Sequence, residues 1–244
     1  MAIATPNVRL IAHTTIPYEF IEGETLPNGF TEMNSVDATD DFMERGEGTT
    51  DADHLAEFAG RSCYESWSKP NPKTADNADY LANIIRQAHF SVLEHASATF
   101  YLTGVSRALL AELTRHRHLS FSVVSQRFVD SSNAAVVVPP ALRGDEAAEK
   151  ALNDWQATVG AVYESMVADL QAKGHKRKQA REAARCLMPN MTETKIVVTG
   201  NMAAWRYVIA RRIDPSADAE IREVAGMILA ELKKLAPNSF GDFE

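Results

Sequence analysis

Two cysteines, Cys63 and Cys186, are too few for a disulfide framework, and with no Cys-x-x-Cys pair a zinc ribbon is excluded as well. No apolar run approaches the roughly 20 residues that cross a bilayer, and the N-terminus shows no signal-peptide pattern. A cytoplasmic protein without membrane contact is therefore expected. Glycine-rich phosphate loops are also missing: neither G-x-G-x-x-G nor a Walker sequence occurs, and no G-x-S-x-G elbow surrounds a serine. Basic charge is scarce, with 25 Lys and Arg against 33 Asp and Glu and a net charge of −8. That balance argues against a broad grip on nucleic acid. The positive charge that exists lies in three clusters, at 115–127, 175–185 and 206–212. Local cations in an acidic chain suit a small polyanion such as a nucleotide, held by side chains and helix N-termini.

The length, 244 residues, allows one large domain or two small ones, and no internal repeat is visible. A strand is expected at 8–12. Residues 17–50 are rich in Gly, Asp, Glu and Thr without periodicity and read as one long acidic loop. Thr50 or Asp51 then caps a helix through Leu55, Phe58 and Ala59. Prolines break the chain at 68–73, and a second helix buries Leu81, Ile84, Ile85 and Ala88. A strand at 96–103 leads to a helix behind Ser106, with Leu109, Leu110 and Leu113 at helical spacing. Residues 121–129 read as extended, and a strand at 134–138 stops at Pro139 and Pro140. The helix at 146–173 is expected to bury Leu152, Trp155, Val159, Val162, Met166 and Leu170, with Gly174 ending it. A helix at 176–187, a strand at 195–199 and a helix from Asn201 to about Ile213 follow. The last helix, 217–235, buries Ile221, Ala225, Ile228, Leu232 and Leu235. Irregular mixing of the two types predicts an α+β fold, a modest sheet under several helices.

Arg115-His116-Arg117-His118 follows a helix end. Successive residues on a helix point about 100° apart, so these four cannot all serve one partner. Either they are solvated or they fan out to separate anionic groups. Lys178, Arg181 and Arg185 share a face at i, i+3, i+7, for which a solvated basic stripe is the plain alternative. Asn201, Trp205, Val208 and Arg212 line one side of their helix, where a terminal Arg can equally serve the last carbonyls and the dipole. His89, Glu94, His95, His116 and His118 match no standard metal spacing, so no metal is expected. Ser120, Ser122 and Ser125 beside Arg127 suit phosphate anchoring better than nucleophilic attack.

Arg115-His116-Arg117, seven residues, then Ser125 resembles the signature of the flavin-dependent thymidylate synthases (ThyX). Four further blocks look like that family's and stand in its order: the stretches at 58–64, 89–95 (His-Phe-Ser-Val-Leu-Glu-His), 183–190 and 194–201. The resemblance covers nearly the whole chain apart from the acidic loop. It implies a single catalytic domain over 1–244, with a helix-flanked sheet and a homotetramer whose active sites are shared between subunits. The implied reaction turns dUMP into dTMP with carbon from methylene-tetrahydrofolate and hydride from reduced FAD, NADPH being the reductant.

By the same resemblance the flavin nucleotide is held by Arg115, His116 and Arg117, with Asn201, Tyr207 and, from a neighbouring chain, Ser91. The dUMP site draws on Arg107, Glu112, Leu113, Thr114, Arg115, Ser125, Gln126, Arg127, Arg185 and Arg212. Arg212 takes the catalytic role of polarising the pyrimidine, and His89 lies near the folate and flavin rings. Val123 stands where the family usually has Gln or Glu, Phe128 where Tyr is common, and Tyr207 where a His often stands. Two other classes fit the residues: a pyrimidine methyltransferase using Cys186 as nucleophile, and a non-catalytic nucleotide- or RNA-binding module using the Arg stretches.

Overall fold

The computed structural model describes residues 2–16, 46, 48–66, 69 and 71–243, so nearly all of the expected acidic loop lies outside the described residues. Six strands occur among those residues: β1 Ile3–Ala4, β2 Asn7–His13, β3 Ser97–Ser106, β4 Ser120–Val123, β5 Val136–Val137 and β6 Glu193–Asn201. The helices are α1 Asp51–Tyr64, α2 Asn77–Arg86, α3 Arg107–Leu113, α4 Glu146–Ala172, α5 Arg177–Ala184, α6 Met202–Arg212, α7 Ala219–Leu235 and α8 Pro237–Phe240. Four strands form one sheet in the order β2-β3-β6-β4, and β1 pairs with β5 in parallel. None of the described helices is long and apolar enough to cross a membrane. Two compact units emerge: Met1–Ile11 with Thr99–Thr199 and Arg211–Ile228, and Ala12–Ala98 with Gly200–Ala210 and Leu229–Glu244.

In the first unit, β4 runs antiparallel to β6, pairing Ser120 with Thr199 and Val123 with Ile196. Alternation sets the core: Phe100 and Leu102 of β3, and Thr194, Ile196 and Val198 of β6, are buried while their neighbours are partly exposed. Gly104 adopts φ +66°, and a Cβ there would lie 1.9 Å from the Thr5 carbonyl oxygen, so only glycine fits. The expected core face of α4 is corrected. Gln156, Val159, Gly160 and Tyr163 are buried, whereas Trp155 and Val162 are 57% and 48% exposed. Both stripes obey helical spacing and meet at Val159. The buried one carries Gly160, and α4 packs on α5, whose buried residues are Ala180 and Ala184. Small side chains at these positions suit a close helix approach.

In the second unit, the Thr50 hydroxyl accepts from the Asp53 amide and caps α1. Helix α2 ends at Arg86, two residues short of Ala88, the last position of its apolar spacing. Ala88, at φ 56°, occupies the left-handed position of a Schellman ending, with Ala88 N–H on Ile85 and His89 N–H on Ile84. Ala88 is exposed rather than buried for that reason. Asp53 accepts from the amides of Asn238 and Ser239 and from the Ser239 hydroxyl, at 2.8, 3.0 and 2.5 Å. Glu57 pairs with Arg61 at 2.7 Å, and both are buried. The Trp205 indole N–H donates to the Ala98 carbonyl, which satisfies its one polar atom in the core.

Candidate active site

Helix α3 is the frame on which the first unit sets its cations. Ser106 caps it, the hydroxyl accepting from the Leu109 amide at 3.0 Å. Arg107 opens the helix and donates through Nη2 to the Val124 carbonyl at 2.8 Å. Burial and then the nearby Arg185 guanidinium hold Arg107 below the usual arginine range. Its Nε is buried and has no hydrogen-bond partner among the described residues. Two guanidiniums that repel each other, one with an orphaned donor, form a place for an anion.

Five residues along, Glu112 holds Arg212. Arg212 Nη1 donates to the Glu112 carboxylate at 2.7 Å, Nη2 to the Glu112 carbonyl at 2.9 Å, and Nε to His116 Nε2 at 2.9 Å. Three of the five guanidinium N–H groups are thus engaged, leaving one on each terminal nitrogen. Burial, then Arg212 and Arg115, push the His116 imidazolium down to about 4, so the ring is neutral at physiological pH. The cationic motif does fan out. His116 turns inward and is buried, while Arg115, Arg117 and His118 are exposed. Among the described residues the Arg115 and Arg117 side chains form no hydrogen bond or ion pair. Leu113 is in the core, and the Thr114 hydroxyl donates back to the Leu110 carbonyl at 2.9 Å.

The turn after β4 carries Ser125, Gln126 and Arg127. The Ser125 hydroxyl accepts from the Arg127 amide at 3.3 Å, and the Arg127 guanidinium lies 2.7 Å from Glu182. Arg181 fixes the same turn through the Phe128 carbonyl at 2.5 Å and Asp130 at 2.7 Å. Sequence reasoning placed Arg181 on the basic face of its helix without assigning it this task, and it passed over Glu182. No spacing rule reaches the 51 residues from Asp130 to Arg181. Val123 is half-buried at the end of β4, and the Lys178 ammonium stands 4.8 Å above the Phe128 ring.

Ser91, Asn201 and Tyr207 belong to the second unit. Ser91 and His89 line a cavity of about 450 Å³ with Cys63, Tyr64, Tyr80 and Phe90. Gly60 makes room for its wall, since a Cβ there would lie 2.1 Å from the Tyr80 hydroxyl. The Asn201 side-chain oxygen Oδ1 accepts from the Ala204 amide at 2.8 Å and caps the start of α6, and Tyr207 is exposed. No group of three His, Cys, Asp or Glu residues is placed to hold a metal among the described residues.

The first unit therefore offers a centre for a small polyanion, with one arginine held rigid and its outer donors left over. The profile of the family Thy1, thymidylate synthase complementing protein, matches residues 47–238, and the chain belongs to that family. It is 53% identical over 207 residues to the probable flavin-dependent thymidylate synthase of Mycobacterium phage D29, covering 83% of this chain and 88% of that one. With the flavin-dependent thymidylate synthase of Mycobacterium tuberculosis (strain ATCC 25618 / H37Rv) it shares 52% over 206 residues, 80% and 82% of the two chains. The fold is shared with the UMP/dUMP methylase PolB from Streptomyces cacaoi, crystallised with 5-Br dUMP. The TM-score is 0.64 and the identity 20%, over 98% of this chain and 95% of that one.

Proposed function

We propose that this chain is a flavin-dependent thymidylate synthase, methylating dUMP to dTMP with the carbon of methylene-tetrahydrofolate and the hydride of reduced FAD. The observation that carries the reading is Arg212, fixed by Glu112 and His116 with two N–H donors remaining. Uracil C5 is a poor nucleophile. A guanidinium presented to N3 and its flanking carbonyl stabilises the enolate-like charge that makes C5 nucleophilic, without a cysteine adding at C6. Arg107 and Arg185 supply the vacant positive charge that a 5′-phosphate needs, with Ser125, Gln126 and Arg127 on the neighbouring turn.

The residues present fit a flavin nucleotide. Arg115 and Arg117 are exposed cations suited to its pyrophosphate, and the Ser91 cavity, walled by Tyr64, Tyr80 and Phe90, suits a flat ring. When bound, the flavin supplies hydride transfer, which no side chain can perform. NADPH is the reductant in this reading, and the assembly is a homotetramer in which Ser91 serves a neighbour's site. The exposed Trp155 and Val162 on α4 support an assembly that covers that face.

The test is dTMP formation by the protein supplied with FAD, NADPH, dUMP and methylene-tetrahydrofolate. Turnover that survives Cys63→Ala and Cys186→Ala supports the reading. Loss of turnover in either variant overturns it in favour of a cysteine nucleophile. Salt-sensitive RNA binding with neither flavin binding nor dTMP would make the chain a binding module.

A further inference from the structure

The structure assigns His116 to a positioning role: its imidazole Nε2 fixes the plane of the Arg212 guanidinium and so aims the remaining donors of Arg212 at the pyrimidine. This rests on the reading of Arg212 as the group that polarises dUMP, and deepens it. As the centre of Arg-His-Arg, the same residue is expected from the sequence among the flavin ligands.

The two bonds from Arg212 to Glu112, at 2.7 and 2.9 Å, both start from the terminal nitrogens. A planar group held at one edge can still swing about the line through its two contacts. The third bond, from Nε to His116 Nε2 at 2.9 Å, lies off that line and removes the freedom. Arginine does not give up its proton, so His116 must accept, with a bare Nε2 and its own proton on Nδ1. His116 is 8% exposed, whereas Arg115 and Arg117 on either side are open to solvent. The motif thus divides, the arginines facing outward to solvent and the histidine inward to another side chain. Alignment of this kind matters to rate, because a displacement of about 1 Å at a reacting group can cost roughly a hundredfold.

Replacement by glutamine keeps an acceptor close to the position of Nε2, and replacement by leucine removes it. Two readouts follow. The first needs no substrate: in ¹⁵N-labelled protein the Arg212 Nε–H signal, assigned by its loss in Arg212→Lys, exchanges slowly with water. It becomes fast in His116→Leu and stays slow in His116→Gln. The second is single-turnover dTMP formation by prereduced enzyme with dUMP and methylene-tetrahydrofolate. His116→Leu slows it about ten- to a hundredfold, the range for one lost hydrogen bond to a charged group, with FAD content unchanged. His116→Gln recovers most of the rate. Parallel loss of FAD in both variants would make His116 a flavin ligand and overturn the assignment, as would an undiminished rate in His116→Leu. If the leucine variant does not fold, the wild-type signal decides, and exchange at the solvent-exposed rate would overturn the assignment. A wild type that makes no dTMP sinks the functional reading instead, and leaves the exchange measurement to judge the His116–Arg212 bond alone.

Discussion

Glu220 and Ser106 are joined twice, the carboxylate accepting the Ser106 amide at 2.8 Å and its hydroxyl at 2.5 Å. The same hydroxyl caps α3, so Glu220 seats the helix that carries Arg107 and Glu112. Burial raises the Glu220 carboxyl above the usual range, and the Ser106 bonds work against that rise. Glu220→Ala leaves a buried N–H and O–H without their acceptor and is expected to cost about 2–4 kcal/mol. Glu220→Gln retains an acceptor and costs less than half as much. Urea denaturation midpoints at fixed pH compare the three proteins.

Arg107 and Arg185 give opposite signs for stability and affinity. Removing Arg185 relieves repulsion on Arg107, so Arg185→Ala does not lower the melting temperature of the ligand-free protein. It weakens dUMP binding roughly ten- to a hundredfold, the worth of one or two charge-assisted bonds to phosphate. Calorimetric titration with dUMP and, separately, with FAD checks this, the FAD affinity being unchanged. Arg127→Ala has a smaller effect on dUMP, since Arg127 already faces Glu182 at 2.7 Å.

Arg212→Lys keeps the charge and loses the planar fork, and with it the simultaneous bonds to Glu112 and His116. An electrostatic donor made for the transition state is worth about 3–4 kcal/mol, or roughly a hundred- to a thousandfold in rate. The chemical step in single turnover is expected to fall by that much while dUMP affinity changes little. A helix-end cap would show the reverse, since lysine serves the dipole as well and the contribution is under about 1 kcal/mol.

His116 makes stability depend on pH with a definite sign. The unfolded imidazole takes its proton near 6.5, the folded one only near 4, because burial, Arg212 and Arg115 oppose the charge. Above pH 6.5 both states are neutral and the group contributes nothing. As pH falls from 6.5 to 4 the unfolded chain gains the proton first, and stability drops by about 3 kcal/mol at the lower end. Glu112 faces His116 only across Arg212, and the raised carboxyls of Asp53 and Glu220 pull the other way. The difference between wild type and His116→Gln isolates the effect. The variant gains relative stability on acidification in denaturant titrations at pH 7 and 4.5.

Ala88 holds a left-handed conformation just before His89, in a position where Gly174 stands at the end of α4. An L-residue there costs about 1–2 kcal/mol, part of which glycine returns in the unfolded chain. Ala88→Gly is expected to stabilise the protein by about 0.5–1 kcal/mol, read as a rise in the denaturation midpoint.

The elements that sequence made legible are those whose signals are local. Thr50, Ser106 and Gly174 mark helix ends by their own chemistry, and the alternation in β3 and β6 marks their buried faces. Helix α4 is not legible this way, because its buried stripe, with Gln156 and Gly160, is less apolar than the exposed one with Trp155 and Val162. The choice between them is made by the packing helix, which no local pattern contains. The short α8 was missed for a similar reason, since what holds it is Asp53, 186 residues from Ser239. Within the site, Arg-His-Arg was legible as three cations or donors but not as two outward and one inward. That distinction depends on Arg212 arriving 96 residues later.

The bond from Asp53 to Ser239 also sets a timetable. The Asp53 carboxylate finds these buried partners only 186 positions further along the chain. At about 5–20 residues per second, the 185 positions from Asp53 to Asn238 take roughly 10–40 s to translate. Until then the second unit lacks the groups that close over Asp53. Its maturation therefore waits on synthesis of the 238–239 segment, and a ribosome stalled before Asn238 would hold it in a form that proteases can distinguish from the closed one.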